Sequence, residues 1–180
     1  MFSFDAETTT LIRGLRKKPI YPEGTNGVSV VYGISEVDRL IPHRPPMRFV
    51  DRISAIDLEG RRIRAIRTLD PTDPIFVGHF PERPVYPGVL QVETMGQAAL
   101  CLASFLTRGT VEIAAETSPF AVRALRIIHA QYLEPLLPGD VLELHASILE
   151  EDGMTATAAG QVIKQGRIVS LSLQEVYFVE

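Results

Sequence analysis

Residues 89–107 read VLQVETMGQAALCLASFLT. Apolar residues occupy nearly the whole circumference of a helix with this sequence, so the helix must be buried on most of its sides. Its length at 1.5 Å per residue is roughly 28 Å, which is enough to cross a small domain. The sequence therefore predicts a long central helix.

Strand-like segments lie on both sides of this helix. Residues 48–56 and 61–69 are joined by a short polar turn at 57–60, which predicts a hairpin. Tight turns between the later segments indicate an antiparallel meander. These later strands are predicted at residues 122–133, 140–149, 154–163 and 168–179.

An apolar helix in so small a domain can be covered only by a sheet that wraps around it. The predicted fold class is therefore α+β, a hotdog fold in which five to six antiparallel strands wrap around one long central helix. Residues 35–180 form the predicted hotdog domain, and residues 1–34 form a predicted N-terminal extension.

Three short elements are predicted before the hairpin. The extension contains a short helix within residues 8–18, which Pro19 helps to end, and a peripheral strand at 26–32. A second short helix is predicted at 35–41, with Ser35 as its N-cap.

Composition and charge exclude several classes of protein. The 22 acidic and 18 basic residues give a net charge of −4, which argues against nucleic acid as a partner. Cys101 and four scattered histidines lack the paired spacing of a metal site, so no metal and no cofactor are expected. The N-terminus lacks a secretory signal, and the apolar run at 98–106 is short for a bilayer. We therefore expect a cytoplasmic protein without a membrane span.

The candidate chemistry lies in residues 78–97, GHFPERPVYPGVLQVETMGQ. His79 lies in a stiff loop, and Glu93 lies early in the apolar helix, where an unpaired carboxylate is costly. Gln97 is four residues further along and so on the same helical face as Glu93. Gly88 offers a free N–H group where the helix dipole is positive. A base, an acid and an oxyanion donor indicate proton abstraction next to a carbonyl group.

Each of these residues also has an ordinary structural explanation. A histidine in such a loop commonly serves only as a hydrogen-bonding group. Glu93 could face solvent, or it could pair with Arg48 or Arg83. A Pro-Gly pair before a helix is often simple helix initiation. The combination of all of these features favours a catalytic site.

The motif Gly-His-Phe-Pro-x-x-Pro-x-x-Pro-Gly-Val at 78–89, followed by Glu-x-Met-x-Gln at 93–97, resembles the 3-hydroxyacyl-(acyl-carrier-protein) dehydratases of bacterial fatty-acid synthesis. The segments IPHRPPMRFVDRI at 41–53 and PLLPGD at 135–140 are similar to two further segments of that family, in the same order. The resemblance extends over residues 35–178. It implies a dehydratase that forms enoyl thioesters without isomerising them, because residue 93 is Glu and not Asp.

The resemblance also implies roles for individual residues. His79 would take the C2 proton of the acyl thioester, Glu93 would protonate the departing hydroxyl group, and the N–H of Gly88 would bind the carbonyl oxygen. The family draws the His and the Glu of one site from different protomers, which implies a homodimer with shared active sites. A trimer of such dimers stays open as a further assembly. Further substrate-binding positions are Phe80, Tyr86 and Gln97.

The surroundings of these residues lead to further expectations. An apolar helix is expected to raise the pKa of Glu93 and so keep the acid protonated. His43 and His129 are expected to be structural, and His145 is expected to be solvated. If the acyl group is carried by acyl carrier protein and not by coenzyme A, the basic residues that dock the carrier are expected among Arg123, Arg126, Arg44 and Lys164.

Two other functions stay open at this stage. An acyl thioesterase can share the fold, although the Gly-His-Phe-Pro loop with His79 is not typical of one. A non-catalytic module that binds acyl thioesters is the second alternative, and the presence of both His79 and Glu93 disfavours it.

Overall fold

A computed structural model describes residues 4–179. Within that range, four helices accompany a seven-stranded antiparallel sheet. The helices are α1 (Ala6–Leu15), α2 (Ile34–Leu40), α3 (Ile75–Gly78) and α4 (Gly88–Arg108). The strands are β1 (Val28–Tyr32), β2 (Arg52–Asp57), β3 (Arg62–Thr68), β4 (Ala121–Tyr132), β5 (Val141–Glu151), β6 (Thr155–Lys164) and β7 (Arg167–Val179).

Helix α4 is the central helix that the sequence predicts. It is buried on most of its surface, with Met95, Leu102 and Phe105 in the main core. It ends at Gly109, whose φ of 65° is a left-handed conformation that glycine adopts without strain. In length and composition α4 could cross a membrane, but most of its residues are buried inside the protein, as in the core helix of a globular domain.

The strand order is β1-β2-β3-β5-β6-β7-β4. The predicted hotdog fold is confirmed, but the expected number of five to six strands is too low. The seventh strand is β1, which corresponds to the peripheral strand predicted at 26–32 within the extension 1–34 and pairs with β2. The meander is also incomplete. After α4 the chain enters the sheet at its far edge as β4, so β3 and β5 become neighbours.

Two local details differ from the sequence-based expectation. Helix α2 begins at Ile34 with Gly33 at its N-cap, so Ser35 is not the cap. The Glu36 carboxylate accepts a hydrogen bond from the N–H of Gly33 at 2.9 Å, which satisfies the first free donor of the helix. The Pro-rich loop before α4 also contains the four-residue helix α3.

The N-terminal arm, residues 4–24, packs on the sheet face opposite α4. Ile12 and Leu15 of α1 lie in a second apolar cluster with residues of β6 and β7. Gln161 of β6 fastens the arm with three hydrogen bonds. Its Oε1 accepts from the N–H of Ile20 at 2.7 Å, and its Nε2 donates to the carbonyls of Leu15 and Lys18 at 2.6 and 3.0 Å.

His145 lies beneath this arm and is 4% exposed, so the expectation of a solvated side chain is wrong. Its Nδ1 accepts a hydrogen bond from the N–H of Tyr21 at 3.4 Å. Burial lowers the pKa of His145, although the neighbouring Glu143 carboxylate acts in the opposite direction. Strand alternation alone did not reveal that an arm covers this second face of the sheet.

A substitution at Gly160 of β6 tests how closely α4 packs against the sheet. A Cβ atom at this position would lie 2.5 Å from Cβ of Met95, a distance that neither backbone can accommodate without moving. We therefore expect Gly160→Ala to lower the free energy of unfolding by about 1–3 kcal/mol in denaturant titrations. Gly14→Ala is the matched control, because nothing lies within 4 Å of its new Cβ. Equal stability of both variants and the wild type would contradict this description of the core.

Candidate active site

His79 is held at the end of α3 with a defined ring orientation. Its Nδ1 lies 2.9 Å from the carbonyl oxygen of Val85, and its ring stacks on Phe80 with centroids 4.2 Å apart. A carbonyl oxygen can only accept, so Nδ1 carries the proton of the neutral ring. Nε2 therefore keeps its lone pair, as a general base requires.

His79 lines an open groove of about 300 Å³. One wall comes from the start of α4 and the loop before it, and the other comes from the end of β4 and the segment that follows. The lining residues are His79, Val85, Tyr86, Gly88, Gln91, Tyr132, Leu133, Glu134 and Pro135. A second groove, of about 740 Å³ and lined in part by Phe80 and Arg83, shares Val85 and Pro135 with the first. The two grooves therefore adjoin.

Gly88, at the start of α4, lines the first groove. It is the first helical residue, and its N–H donates no hydrogen bond within residues 4–179. A Cβ atom here would lie 2.7 Å from Cζ of Tyr132, so the aromatic ring needs a glycine at this position to approach the backbone. A free N–H at the positive end of a long helix can stabilise a carbonyl oxygen that gains negative charge.

Glu93 lies in the second turn of α4. Its Oε1 accepts a hydrogen bond from Nε2 of Gln97 at 2.8 Å, which is the contact expected from their spacing. Gln97 is fully buried, and it also joins α4 to the loop before β2. Its Oε1 accepts from the N–H of Phe49 at 2.7 Å, and its Nε2 donates to the carbonyl of Met47 at 2.8 Å.

Comparison with known proteins identifies the family. The model of the FabA-like domain matches residues 41–172, which extend from the end of α2 into β7. The chain belongs to the FabA-like family. The match includes His79, Gly88 and Glu93, whereas α1 and β1 lie outside it.

Several curated relatives of this FabA-like chain carry the name 3-hydroxyacyl-[acyl-carrier-protein] dehydratase FabZ. The protein from Anaeromyxobacter sp. (strain Fw109-5) is 36% identical over 140 residues, which cover 78% of this chain and 85% of the relative. The protein from Pseudoalteromonas translucida is 37% identical over 137 residues, which cover 76% and 86%.

Solved structures show the same fold at lower identity. The dehydratase heterocomplex ApeI:P from Xenorhabdus doucetiae gives a TM-score of 0.62 at 18% identity and covers 80% of this chain and 91% of the other. An uncharacterized protein from Pyrococcus horikoshii gives a TM-score of 0.56 at 16% identity and covers 85% and 95%.

The surroundings of Glu93 correct one sequence-based expectation and reveal one contact that the sequence did not indicate. His43, expected to be structural, lies with its Nε2 3.2 Å from Oε1 of Glu93, whereas Arg48 pairs with Asp38. The hydrogen bond from His43 lowers the pKa of Glu93, and this effect exceeds that of burial, which raises the pKa. The expectation of a raised pKa is therefore wrong for the single chain. The expectation took account of the apolar helix but not of His43, a hydrogen-bond donor from a distant loop.

Within one chain, the structure does not bring all of the predicted site residues together. His79, Gly88 and Tyr86 line the first groove, and Phe80 lines the second, but Glu93 and Gln97 line neither. The ring of Tyr86 is buried, with its hydroxyl 3.3 Å from Oγ1 of Thr94.

Tyr132 is a lining residue that the sequence did not indicate. It lies at the end of β4, 53 positions after His79 in the chain, and half of its side chain is exposed. A tyrosine at the end of a strand is common, so no sequence signal distinguished it.

Three of the four basic residues expected to dock a carrier are already engaged. Lys164 donates to the Pro135 carbonyl and the Asp140 carboxylate, both at 3.0 Å, and Arg126 pairs with Glu175. Arg44 donates to the backbone carbonyls of Ile41 and His43 in its own loop and of Asp38 in α2. Arg123 is exposed on β4.

The role of Gln97 in holding Glu93 can be tested by unfolding. Gln97→Leu removes three hydrogen bonds and leaves the N–H of Phe49 buried without its acceptor. Gln91→Leu is the matched control, because Gln91 is also buried on α4 but donates one bond of 3.3 Å, to Tyr86, and its Oε1 has no partner among the described residues. We expect Gln97→Leu to cost at least about 2 kcal/mol more than Gln91→Leu in denaturant titrations. Similar losses for both would contradict this role.

Proposed function

We propose that this FabA-like protein is a cytoplasmic 3-hydroxyacyl-(acyl-carrier-protein) dehydratase. It is a hydro-lyase that removes water from 3-hydroxyacyl thioesters to give trans-2-enoyl thioesters in fatty-acid or related acyl-chain biosynthesis. The observation that carries the proposal is the groove in which His79, with Nδ1 tied to a carbonyl and Nε2 free, faces the same space as the start of α4. The FabZ relatives at 36 and 37% identity support the substrate class.

The proposed reaction uses the N–H of Gly88 and Nε2 of His79, which line the same groove. The thioester carbonyl accepts a hydrogen bond from the N–H of Gly88, which makes the C2 proton more acidic. Nε2 of His79 takes this proton, and the electron pair of the C2–H bond forms the C2–C3 double bond. The C3–O bond breaks at the same time, and Glu93 protonates the departing hydroxyl group to release water.

This reaction requires Glu93 to act in a groove that it does not line in its own chain. We propose a homodimer in which each site combines His79 of one protomer with Glu93 of the other. Strand β4 supports such an assembly, because it is an edge strand whose residues Leu125 and Ile127 are 52% and 58% exposed. An apolar, unpaired edge of this kind favours pairing with a second copy. Three such dimers can in turn assemble into a trimer of dimers.

The first experiment tests the reaction and the two proposed roles. The reversible hydration of a crotonyl thioester is followed by absorbance, with carrier-protein and coenzyme A substrates, for the wild type, His79→Ala and Glu93→Ala. We expect each variant to lose a factor of at least about 100, because each removes a general acid or base. The thioester with the higher kcat/KM identifies the carrier.

The same assay distinguishes the alternative functions. Release of free thiol without a change in the enoyl absorbance would indicate a thioesterase. Binding of the thioester without either reaction by the folded wild type would indicate a non-catalytic module, and the dehydratase proposal would be abandoned.

A second experiment tests the shared site. His79→Ala and Glu93→Ala chains are unfolded together in equal amounts and refolded. Half of the resulting dimers contain one chain of each kind, and each mixed dimer then has one intact site out of two, so we expect about a quarter of the wild-type activity. The separately refolded variants are the controls. No recovery in mixtures shown by mass spectrometry to contain mixed dimers would mean that each site lies within one chain.

A further inference from the structure

The two oxygens of the Glu93 carboxyl group have different surroundings. Oε1 is approached by two nitrogens, Nε2 of Gln97 at 2.8 Å and Nε2 of His43 at 3.2 Å. Oε2 makes no hydrogen bond with the residues of the described range, 4–179. The side chain is 38% exposed, so Oε2 is the oxygen that a substrate or a partner chain can reach.

Both nitrogens act as donors. The Gln97 amide is oriented by the backbone, because its Oε1 must accept the N–H of Phe49, which leaves Nε2 to donate. Nδ1 of His43 is buried without a hydrogen-bond partner among the described residues. A proton on Nδ1 would be a buried donor without an acceptor, so the neutral ring with its proton on Nε2 fits these surroundings.

The loop that carries His43 is held on both sides of it. The guanidinium group of Arg44 donates to the carbonyls of Asp38, Ile41 and His43 at 2.8, 2.9 and 2.7 Å. Gln97 bonds the backbone of the same loop at Met47. These hydrogen bonds therefore hold the backbone that carries His43 in place.

We propose that His43 is a positioning residue that, together with Gln97, occupies Oε1 of Glu93 and makes Oε2 the oxygen that carries and delivers the proton. A carboxylic acid that already accepts two N–H bonds at one oxygen carries its proton on the other. The proton then points in one defined direction, which is what efficient transfer to a departing hydroxyl group requires. This inference rests on the proposed function, because it assigns the geometry of the acid in that reaction.

The hydrogen bonds that orient Glu93 also change its acidity. The bond from His43 stabilises the carboxylate and lowers the pKa of Glu93, and Gln97 acts in the same direction. Burial raises the pKa of Tyr86, and the nearby Glu93 carboxylate acts in the same direction to a smaller extent. Without His43, only Gln97 opposes the effect of burial, which raises the pKa of Glu93. We therefore expect this pKa to rise when His43 is removed.

Kinetics of a double-variant cycle test the positioning role. In the wild type, we expect His43→Ala to lower kcat by about 10- to 100-fold, with a smaller change in KM, because the acid loses its orientation. In the Glu93→Gln background, the same substitution should lower the residual single-turnover rate by less than about twofold, because the group on which His43 acts is gone. His43→Gln keeps an N–H donor and should recover most of the lost activity. Circular dichroism and gel filtration check that each variant folds and assembles.

A titration that does not depend on activity completes the test. With ¹³C-labelled glutamate side chains and Glu93→Gln for assignment, NMR follows the Glu93 carboxyl signal against pH. We expect the pKa of Glu93 to rise in His43→Ala and to rise less in His43→Gln.

The outcomes separate the two proposals. An active wild type with equal losses from His43→Ala in both backgrounds, or an unchanged pKa of Glu93, overturns the positioning role alone. A folded wild type without any dehydration or hydration overturns the proposed function and the positioning role with it, and the titration still decides whether the contact exists.

Discussion

Helix α4 must be covered along most of its length, because apolar side chains lie on nearly all of its faces. A helix with apolar side chains on nearly every face is stable only when little of it meets water, and each large apolar side chain that is buried contributes roughly 1.5–3 kcal/mol. The sheet provides this cover by wrapping around the helix, with β3, β5, β6 and β7 all in contact with it. The strand order follows from the same requirement, because the helix crosses the sheet before the chain continues at the opposite edge.

This arrangement also determines where chemistry can occur. The first turns of α4 emerge from the wrapped sheet, so the N–H of Gly88 and the Glu93 carboxyl group lie outside the fully covered part of the helix. Gln97 lies one turn deeper and is fully buried, which a polar side chain tolerates when its hydrogen bonds are made. Because its partners are the backbone of residues 47 and 49, the same amide that supports Glu93 fixes the loop that presents His43. One buried side chain thus links core packing to the geometry of the acid.

The parts of the fold that follow from local pattern were predictable. The apolar circumference of residues 89–107, the hairpin around 57–60 and the alternation in 140–149 all correspond to observed elements. The i,i+4 contact between Glu93 and Gln97 was predictable for the same reason, since helix geometry alone determines it. The motif around His79 indicated the chemistry through its resemblance to a known family.

The features that depend on long-range contacts were not predictable from one sequence. His43 lies 50 positions before Glu93, and no periodicity relates them, so both the contact and its effect on the pKa of Glu93 were missed. The burial of His145 depends on an arm more than 120 positions away in the chain. The position of β4 at the far edge of the sheet depends on the path of the whole chain and not on the pattern of the strand itself.

The N-terminal arm has a practical consequence for where this protein can be shortened. The family match starts at residue 41, but the stable unit starts earlier, because α1 covers apolar residues of β6 and β7, and residues of the arm complete the hydrogen bonds of Gln161. A chain trimmed to the family boundary would expose this apolar surface of β6 and β7. It would also leave the side chain of Gln161 without its hydrogen-bond partners. Such a shortened form would be prone to aggregate for reasons unrelated to its active site, so its inactivity would say nothing about catalysis.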